Sequence, residues 1–245
     1  MFESTLPVGV PDLMRVSAFR RYLEETGRGD LDAASTRLST LSPSMLLDLK
    51  RFEQGGRHTE LLEVVAACVR HGKSLTIHLE CDSRVLPLTV YPVERMAHCP
   101  VALAHLLQMR LSDFVVLRVE PATLRAPDPA DPAMTSEIYQ LFAPLGALTW
   151  ELALRGSRGE LLPEISPRAA YRIPPGVDLR GMELGGSLAA AVHRMKRQTT
   201  NLREMSSWSG FDRERAMRLL NALYLQAGLM ISRTHPAATN EGWMP

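Results

Sequence analysis

The sequence has few of the features that mark secreted or membrane-spanning proteins. Only three of its 245 residues are cysteine, an odd number that is too small for a disulfide framework and is typical of a reducing, cytoplasmic protein. No apolar run reaches the roughly 18 residues that a membrane-spanning helix needs, so no membrane contact is expected. The N-terminus lacks a basic segment followed by a long apolar one, so we expect no secretory signal.

A strong charge of either sign is also missing. The net charge is +1, from 28 basic and 27 acidic residues. The distribution is uneven, because residues 185–245 carry eight bases against four acids while the rest of the chain is slightly acidic. A DNA-binding module usually has a larger positive excess than this.

Catalytic signatures are absent from the sequence as well. It contains no G-x-S-x-G, no G-x-G-x-x-G and no Walker lysine. Gly185, Gly186 and Ser187 open a predicted helix, where ordinary capping explains them. The sequence therefore predicts a protein that is not an enzyme and has no cofactor.

Histidines and cysteines in the first half form the one group of possible metal ligands. His98 and Cys99 are neighbours that cannot easily point at one ion, and His78 and Cys81 face opposite sides of a predicted strand. The tight C-x₂₋₄-C knuckle of structural zinc sites is missing. We predict no metal site, and a metal protein centred on these residues is the least favoured hypothesis.

Prolines divide the chain. Pro127, Pro129 and Pro132 lie within six residues, which excludes a helix or central strand there. We therefore predict an α+β domain over residues 1–125, a linker over 126–133 and a helical domain over 134–245 that ends in a winged-helix-like module at about 185–235.

Before the linker, the pattern changes from helices to strands. Helical spacing is seen at Asp12–Thr26, after Ser42, which is predicted as a helix cap, and after Thr59. Strand-like runs follow at 74–80, 84–91 and 114–119. A helix is predicted at 100–110 between the last two runs. This predicts a helical N-terminal part with a small sheet, whose last strand either offers an open edge to a partner or is covered by its neighbours.

The most informative stretch is Asn201–Thr234. It predicts a short helix, a turn containing Trp208, a longer helix capped by Asp212 and a final strand after Gly228. This is the core order of a winged helix-turn-helix. The longer helix has a continuous apolar stripe whose members are Ala216, Leu219, Leu220, Leu223, Tyr224 and Ala227.

The face opposite this stripe allows two functional hypotheses, protein binding and DNA binding. A mixed surface of Met217, Arg218, Asn221 and Leu225 is typical of a protein interface. Alternatively, the helix reads DNA, with bases and backbone contacted by Arg213, Arg218, Asn221, Arg197 and Arg203.

The run LGGSLAAAVHRMKRQTTNLREMSSWSGFDRERAMRLLNALYLQAGLMISR resembles the winged-helix portion of PATAN-type regulators of bacterial signalling systems. The resemblance covers about a fifth to a quarter of the chain and leaves the N-terminal half unassigned. It implies a regulatory role and no enzymatic one. We expect a cytoplasmic signalling or assembly adaptor that contacts another protein, with a DNA-binding transcription regulator as the alternative and a homo-oligomer left open.

Overall fold

The computed structural model describes residues 13–26, 41–55, 59–128, 136–166 and 168–238. It combines helices with sheet, as the α+β prediction requires. The chain forms two compact units, Met1–Leu148 and Thr149–Pro245. No helix in the described ranges is long and apolar enough to cross a bilayer.

The first unit is built on a five-stranded antiparallel sheet. Its strands are β1 (Leu75–Cys81), β2 (Arg84–Tyr91), β3 (Met96–His98), β4 (Val115–Pro121) and β5 (Phe142–Pro144), in the order β4-β1-β2-β3-β5. The β1–β2 hairpin turns at Asp82 and Ser83, which both have positive φ. This backbone is the one that a two-residue hairpin turn requires.

Three helices accompany this sheet: α1 (Val16–Thr26), α2 (Pro43–Gly55) and α3 (Leu61–His71). Alternate β1 residues Leu75, Ile77 and Leu79 are fully buried, as expected for a strand with one face in the core. His78 belongs to the opposite face, where its ring centroid lies 4.9 Å from that of Phe19 on α1. The predicted cap at Ser42 is present, because its Oγ accepts a hydrogen bond from the Met45 amide.

The helix predicted at 100–110 is shorter than expected. The structure has α4 (Leu103–Leu106) within this range and a single 3-10 turn (Leu111–Asp113) directly after it. The strand predicted at 114–119 is confirmed as β4.

The division of the chain differs from the predicted one. After α5 (Ser136–Tyr139), residues 142–144 form β5 and pair with β3, so this segment belongs to the first unit. The division falls within α6 (Leu145–Arg155), beyond the proline-rich segment. Residues 129–133 of the predicted linker, like residues 1–12, lie outside the described part of the chain.

The second unit contains the predicted order of helix, short helix, long helix and strand. Its elements after α6 are β6 (Ala170–Arg172), α7 (Gly186–Arg197), α8 (Leu202–Ser206), α9 (Arg213–Leu225) and β7 (Met230–Ser232). Strands β6 and β7 pair antiparallel, and Thr200 forms an isolated bridge to Tyr171.

The ends of α8 and α9 follow their local sequence signals. Asn201 accepts from the Glu204 amide at 2.8 Å, and Asp212 accepts from the Arg215 amide at 2.7 Å. The C-terminal end of α9 differs, because Ala227 and not Gly228 takes the positive φ. Gly228 is required for a close approach instead, since a Cβ there would lie 3.0 Å from Cγ1 of Val177.

Candidate functional site

The predicted partner-binding surface on α9 is not a surface. Met217 is 3% exposed, Leu225 8% and Asn221 0%, so the prediction that these residues face outward is wrong. The prediction assumed one buried stripe, but Ala222 and Met217 on its other side are buried as well. Helix α9 is therefore packed around most of its circumference.

Asn221 is a structural residue. Its Nδ2 donates to the Glu160 carbonyl at 2.8 Å, and its Oδ1 accepts from the Leu162 amide at 2.9 Å. These two hydrogen bonds fix the segment after α6, and the buried Asn221 side chain is not exposed to read a base edge.

Arg218 is the fourth residue of that predicted surface, and it also acts inside the unit. Its Nη1 donates to the Gly156 carbonyl at 2.8 Å and to the Leu154 carbonyl at 3.3 Å, while its Nε donates to Glu214 at 2.8 Å. The guanidinium thus satisfies carbonyls at the C-terminal end of α6, where a cation is favoured.

The remaining residues of the DNA alternative are placed differently. Arg197, Arg203 and Arg213 are exposed, on three different helices. Exposure on α9 is concentrated in its first turn, at Arg213, Glu214 and Arg215. The helix offers no long basic face of the kind that enters a major groove.

What the structure brings together instead is a groove between α7 and the turn that joins α8 to α9. Its volume is about 210 Å³. We call it the Arg–aromatic groove, and its lining residues are Ser187, Ala190, Ala191, Arg194, Trp208, Ser209 and Phe211.

A stacked arginine forms one wall of the groove. The Arg194 guanidinium carbon lies 4.5 Å from the centroid of the Trp208 ring, within the range of a cation–π interaction. Its Nη2 donates to Oε1 of Glu204 at 2.9 Å. The Glu204 carboxylate therefore holds the guanidinium over the indole ring.

Glu204 is the residue that positions this arginine. It also accepts from Gln198 Nε2 at 3.0 Å and from Thr200 Oγ1 at 2.9 Å. Its own amide is bound by the Asn201 cap. One carboxylate thus ties the end of α7 to the start of α8 and fixes the orientation of Arg194.

The turn that carries the aromatic residues is closely packed on α7. Gly210 has φ +75°, and a Cβ there would lie 3.0 Å from Cβ of Ser187, so only glycine is accommodated without a shift. Phe211 lies edge-on to Trp208 at 6.3 Å, and the Arg215 guanidinium carbon lies 5.5 Å from its ring centroid. The groove is therefore bordered by two arginine–aromatic pairs.

The chemistry of this groove is suited to binding. Ser187 and Ser209 provide hydroxyls, but no described histidine or carboxylate lines the groove beside them to act as the base that activates a serine nucleophile. Its volume is below the roughly 300–1,000 Å³ of pockets that enclose small molecules. The size is that of a site for a single anchoring side chain.

A larger cavity of about 470 Å³ lies in the first unit, between the β1–β2 turn and the segment after α4. Its lining includes the Cys81 thiol, which contacts the Met109 sulfur at 3.6 Å. Burial, together with the nearby carboxylates of Asp82 and Asp113, raises the pKa of Cys81 to about 11. The thiol is therefore protonated near neutral pH and is not an activated nucleophile.

The potential metal ligands are dispersed. Nε2 of His78 donates to Oε1 of Glu120 at 3.0 Å, Cys99 is buried, and His105 lines the cavity of the first unit. Within the described ranges, no group of three or more His, Cys, Asp or Glu side chains is placed to hold a metal ion.

Comparison of the chain with protein-family models, with curated proteins and with solved structures gave no match. The relation to PATAN-type regulators that the sequence suggests therefore stays a proposal.

Sequence reasoning missed the groove, although it noticed several of its parts. Trp208 belongs to the turn predicted within Asn201–Thr234, and Arg194 is one of the eight bases of residues 185–245. Their stacking depends on Glu204 and on the packing of Gly210 against Ser187. Neither contact follows from residue spacing within a single element.

Proposed function

We propose that this protein is a non-enzymatic, cytoplasmic adaptor in bacterial signalling or assembly, and that it acts through contacts with another protein. The contact surface is the Arg–aromatic groove and not the α9 face. The observation that carries the proposal is the Arg194 guanidinium, held on Trp208 by Glu204 beside an open groove the size of one side chain. Tryptophan and arginine in such pockets dominate the binding energy of protein interfaces.

We propose that the second unit is a winged-helix-like module. Helices α7, α8 and α9 and the strand pair β6–β7 support that description. The strand that pairs with β7 precedes the helices in the chain, which differs from a wing formed by a C-terminal hairpin. This difference favours a module that binds protein over a module whose wing contacts DNA.

The test is a quantitative pull-down from the native cell with three forms of the full chain. Ala190→Trp fills the groove from an exposed position on α7. His193→Trp places the same side chain on the same helix, at an exposed residue outside the groove lining. We expect Ala190→Trp to lose a specific partner that the wild type and His193→Trp both retain.

Identical partners from all three forms would show that the groove is not the contact surface. A mobility-shift assay on mixed duplex DNA addresses the alternative function. Tight binding that weakens steeply with salt and requires Arg197, Arg203 and Arg213 would replace the adaptor by a DNA-binding protein.

A further inference from the structure

We infer that the Arg–aromatic groove binds an acidic peptide segment that carries a single aromatic anchor. The inference rests on the proposed function and adds the chemistry of the partner. It follows from the size of the groove, from the rings that line it and from the charges around it.

The size and lining of the groove select one bulky apolar side chain. Ala190 and Ala191 are small residues between the larger Ser187 and Arg194 on α7, so they leave the space that the groove occupies. Trp208 and Phe211 are already arranged edge to face. An incoming aromatic ring can add to such a cluster in an edge-to-face or offset geometry.

The charges around the groove favour carboxylates next to that anchor. Arg194 is 46% exposed, and within the part of the chain that the structure describes its guanidinium donates only to Glu204. A guanidinium has five N–H donors, so several remain for a ligand. Arg215, over Phe211, is also exposed.

The acids of this region are occupied within the unit. Glu204 binds Arg194, Asp212 caps α9, and Glu214 pairs with Arg218. Among the described residues, no acidic side chain lines the groove. A partner segment with carboxylates on both sides of its anchor therefore meets the guanidinium groups of Arg194 and Arg215, while the nearby carboxylates are already engaged within the unit.

The N-terminal end of α7 also favours a negatively charged ligand. This 12-residue helix begins at Gly186 with no side-chain cap on its amides, and its first turn supplies Ser187 to the groove. The partial positive charge of a helix N-terminus favours an anion nearby. This field adds to the two arginines.

The geometry favours a peptide over single-stranded nucleic acid. Nucleic-acid channels place successive bases on a series of aromatic platforms along a basic path. Here, one groove accepts one ring, and Arg194 already covers a face of Trp208. An anchor with flanking carboxylates matches this arrangement.

The experiment uses three fluorescein-labelled heptapeptides and the full-length protein. The first has one tryptophan between two Glu-Asp-Glu runs, the second has the same tryptophan between two Lys-Ser-Lys runs, and the third has alanine in place of tryptophan between the acidic runs. Fluorescence anisotropy at low salt gives the affinities. We expect the first peptide to bind at least about tenfold more tightly than the other two, and to weaken as salt rises.

Protein variants test the same contacts. Ala190→Trp should remove binding of the first peptide, and His193→Trp should keep it. Arg194→Lys keeps the charge but loses the flat stack and the guanidinium fork, so binding should fall to an intermediate level. Circular dichroism of each variant establishes that it is folded.

The outcomes separate the inference from the proposed function. Equal binding of the acidic and basic anchored peptides, or unchanged binding by Ala190→Trp, overturns the inference. If Ala190→Trp still loses its cellular partner in that case, the groove remains the contact surface and only the assigned chemistry is wrong. If the partner is also retained, both fail.

Discussion

The buried side chain of Asn221 is expected to contribute strongly to the stability of the second unit. Replacing it with alanine would leave the Glu160 carbonyl and the Leu162 amide without their partners. Because a buried unsatisfied group costs about 1–3 kcal/mol, we expect Asn221→Ala to lower the free energy of unfolding by about 2–4 kcal/mol. Urea unfolding followed by tryptophan fluorescence measures this, since all three tryptophans of the sequence lie in the second unit.

His193→Ala is the matched control for that measurement. His193 is exposed on α7, and exposed substitutions usually change stability by less than about 0.5 kcal/mol. A loss below that value in Asn221→Ala would contradict the structural role of the two hydrogen bonds.

Helix caps, whose contacts lie within one turn of the chain, could be predicted from the sequence. Residues whose contacts come from other segments of the chain could not. The caps at Asp212 and Ser42 were predicted because a cap and the amide it binds lie within one turn. Asn221, Met217 and Leu225 were placed on the wrong side because their neighbours come from other segments. A helical stripe identifies one buried face, but it does not show that the opposite face is open.

At the scale of elements, β4 shows how an edge strand avoids further pairing. Within the described ranges it pairs only with β1, through a register shift between His78 and Leu79. The Ala122 amide bonds to Ser74 of the β1 side, so the nitrogen of Pro121 faces the open edge, where a missing donor is tolerated. Irregular register, proline and charge all disfavour edge-to-edge pairing.

We therefore expect the double variant Arg118→Val and Pro121→Val to self-associate more than the wild type. It removes one exposed charge and restores a donor on the open edge. Sedimentation velocity over a concentration series detects the larger species. Arg110→Val, an equally exposed substitution outside the sheet, serves as the control. Unchanged sedimentation of the double variant would show that another feature protects this edge.

Helices α2 and α3 are joined by an ion cluster whose strength depends on pH. Asp48 accepts from Arg70 at 2.5 Å and from His71 at 2.9 Å. Burial alone would raise the pKa of Asp48, but these hydrogen bonds outweigh it and hold the pKa below its ordinary value of 3.8. The stabilisation is therefore complete above that value and is lost as the pH falls through the lower folded-state pKa.

Asp48→Asn tests this pH dependence. At pH 7, we expect the variant to unfold at lower urea than the wild type. The difference should start to shrink below about pH 4, where the carboxylate of the unfolded chain takes up a proton, and should be lost as the pH falls through the lower pKa of folded Asp48. Far-UV circular dichroism is the appropriate signal, because the first unit contains no tryptophan. Lys50→Gln, exposed on the same helix, is the control. A difference that stays constant from pH 7 to pH 3 would rule out the carboxylate as its source.

The longer elements followed from sequence patterns, and the short ones did not. Strands β1, β2 and β4 have seven or eight residues and a recognisable strand pattern. Strands β3 and β5 have only three residues each, and these are too few for a period of two to stand out. Their position is fixed by pairing with each other and with β2.

At the scale of the whole molecule, missing β5 also displaced the predicted domain boundary. The prolines at 127–132 do not divide the two units, because the chain rejoins the sheet of the first unit at Phe142. Proline-rich composition reports a break in regular structure, and it does not report which core the next element joins.

The boundary can be tested with two fragments of the chain. Residues 1–148 retain β5 beside β3, with the Phe142 ring 4.8 Å from that of His98, whereas residues 1–133 lose the strand and this contact. We expect the longer fragment to unfold cooperatively and at clearly higher urea, by far-UV circular dichroism. A third fragment, residues 1–148 with Phe142→Ala, keeps the backbone of β5 but loses a buried ring, so it should lie between the other two. If residues 1–133 were as stable as residues 1–148, β5 would be dispensable to the first unit. The result would then favour the proline-rich segment as the domain boundary.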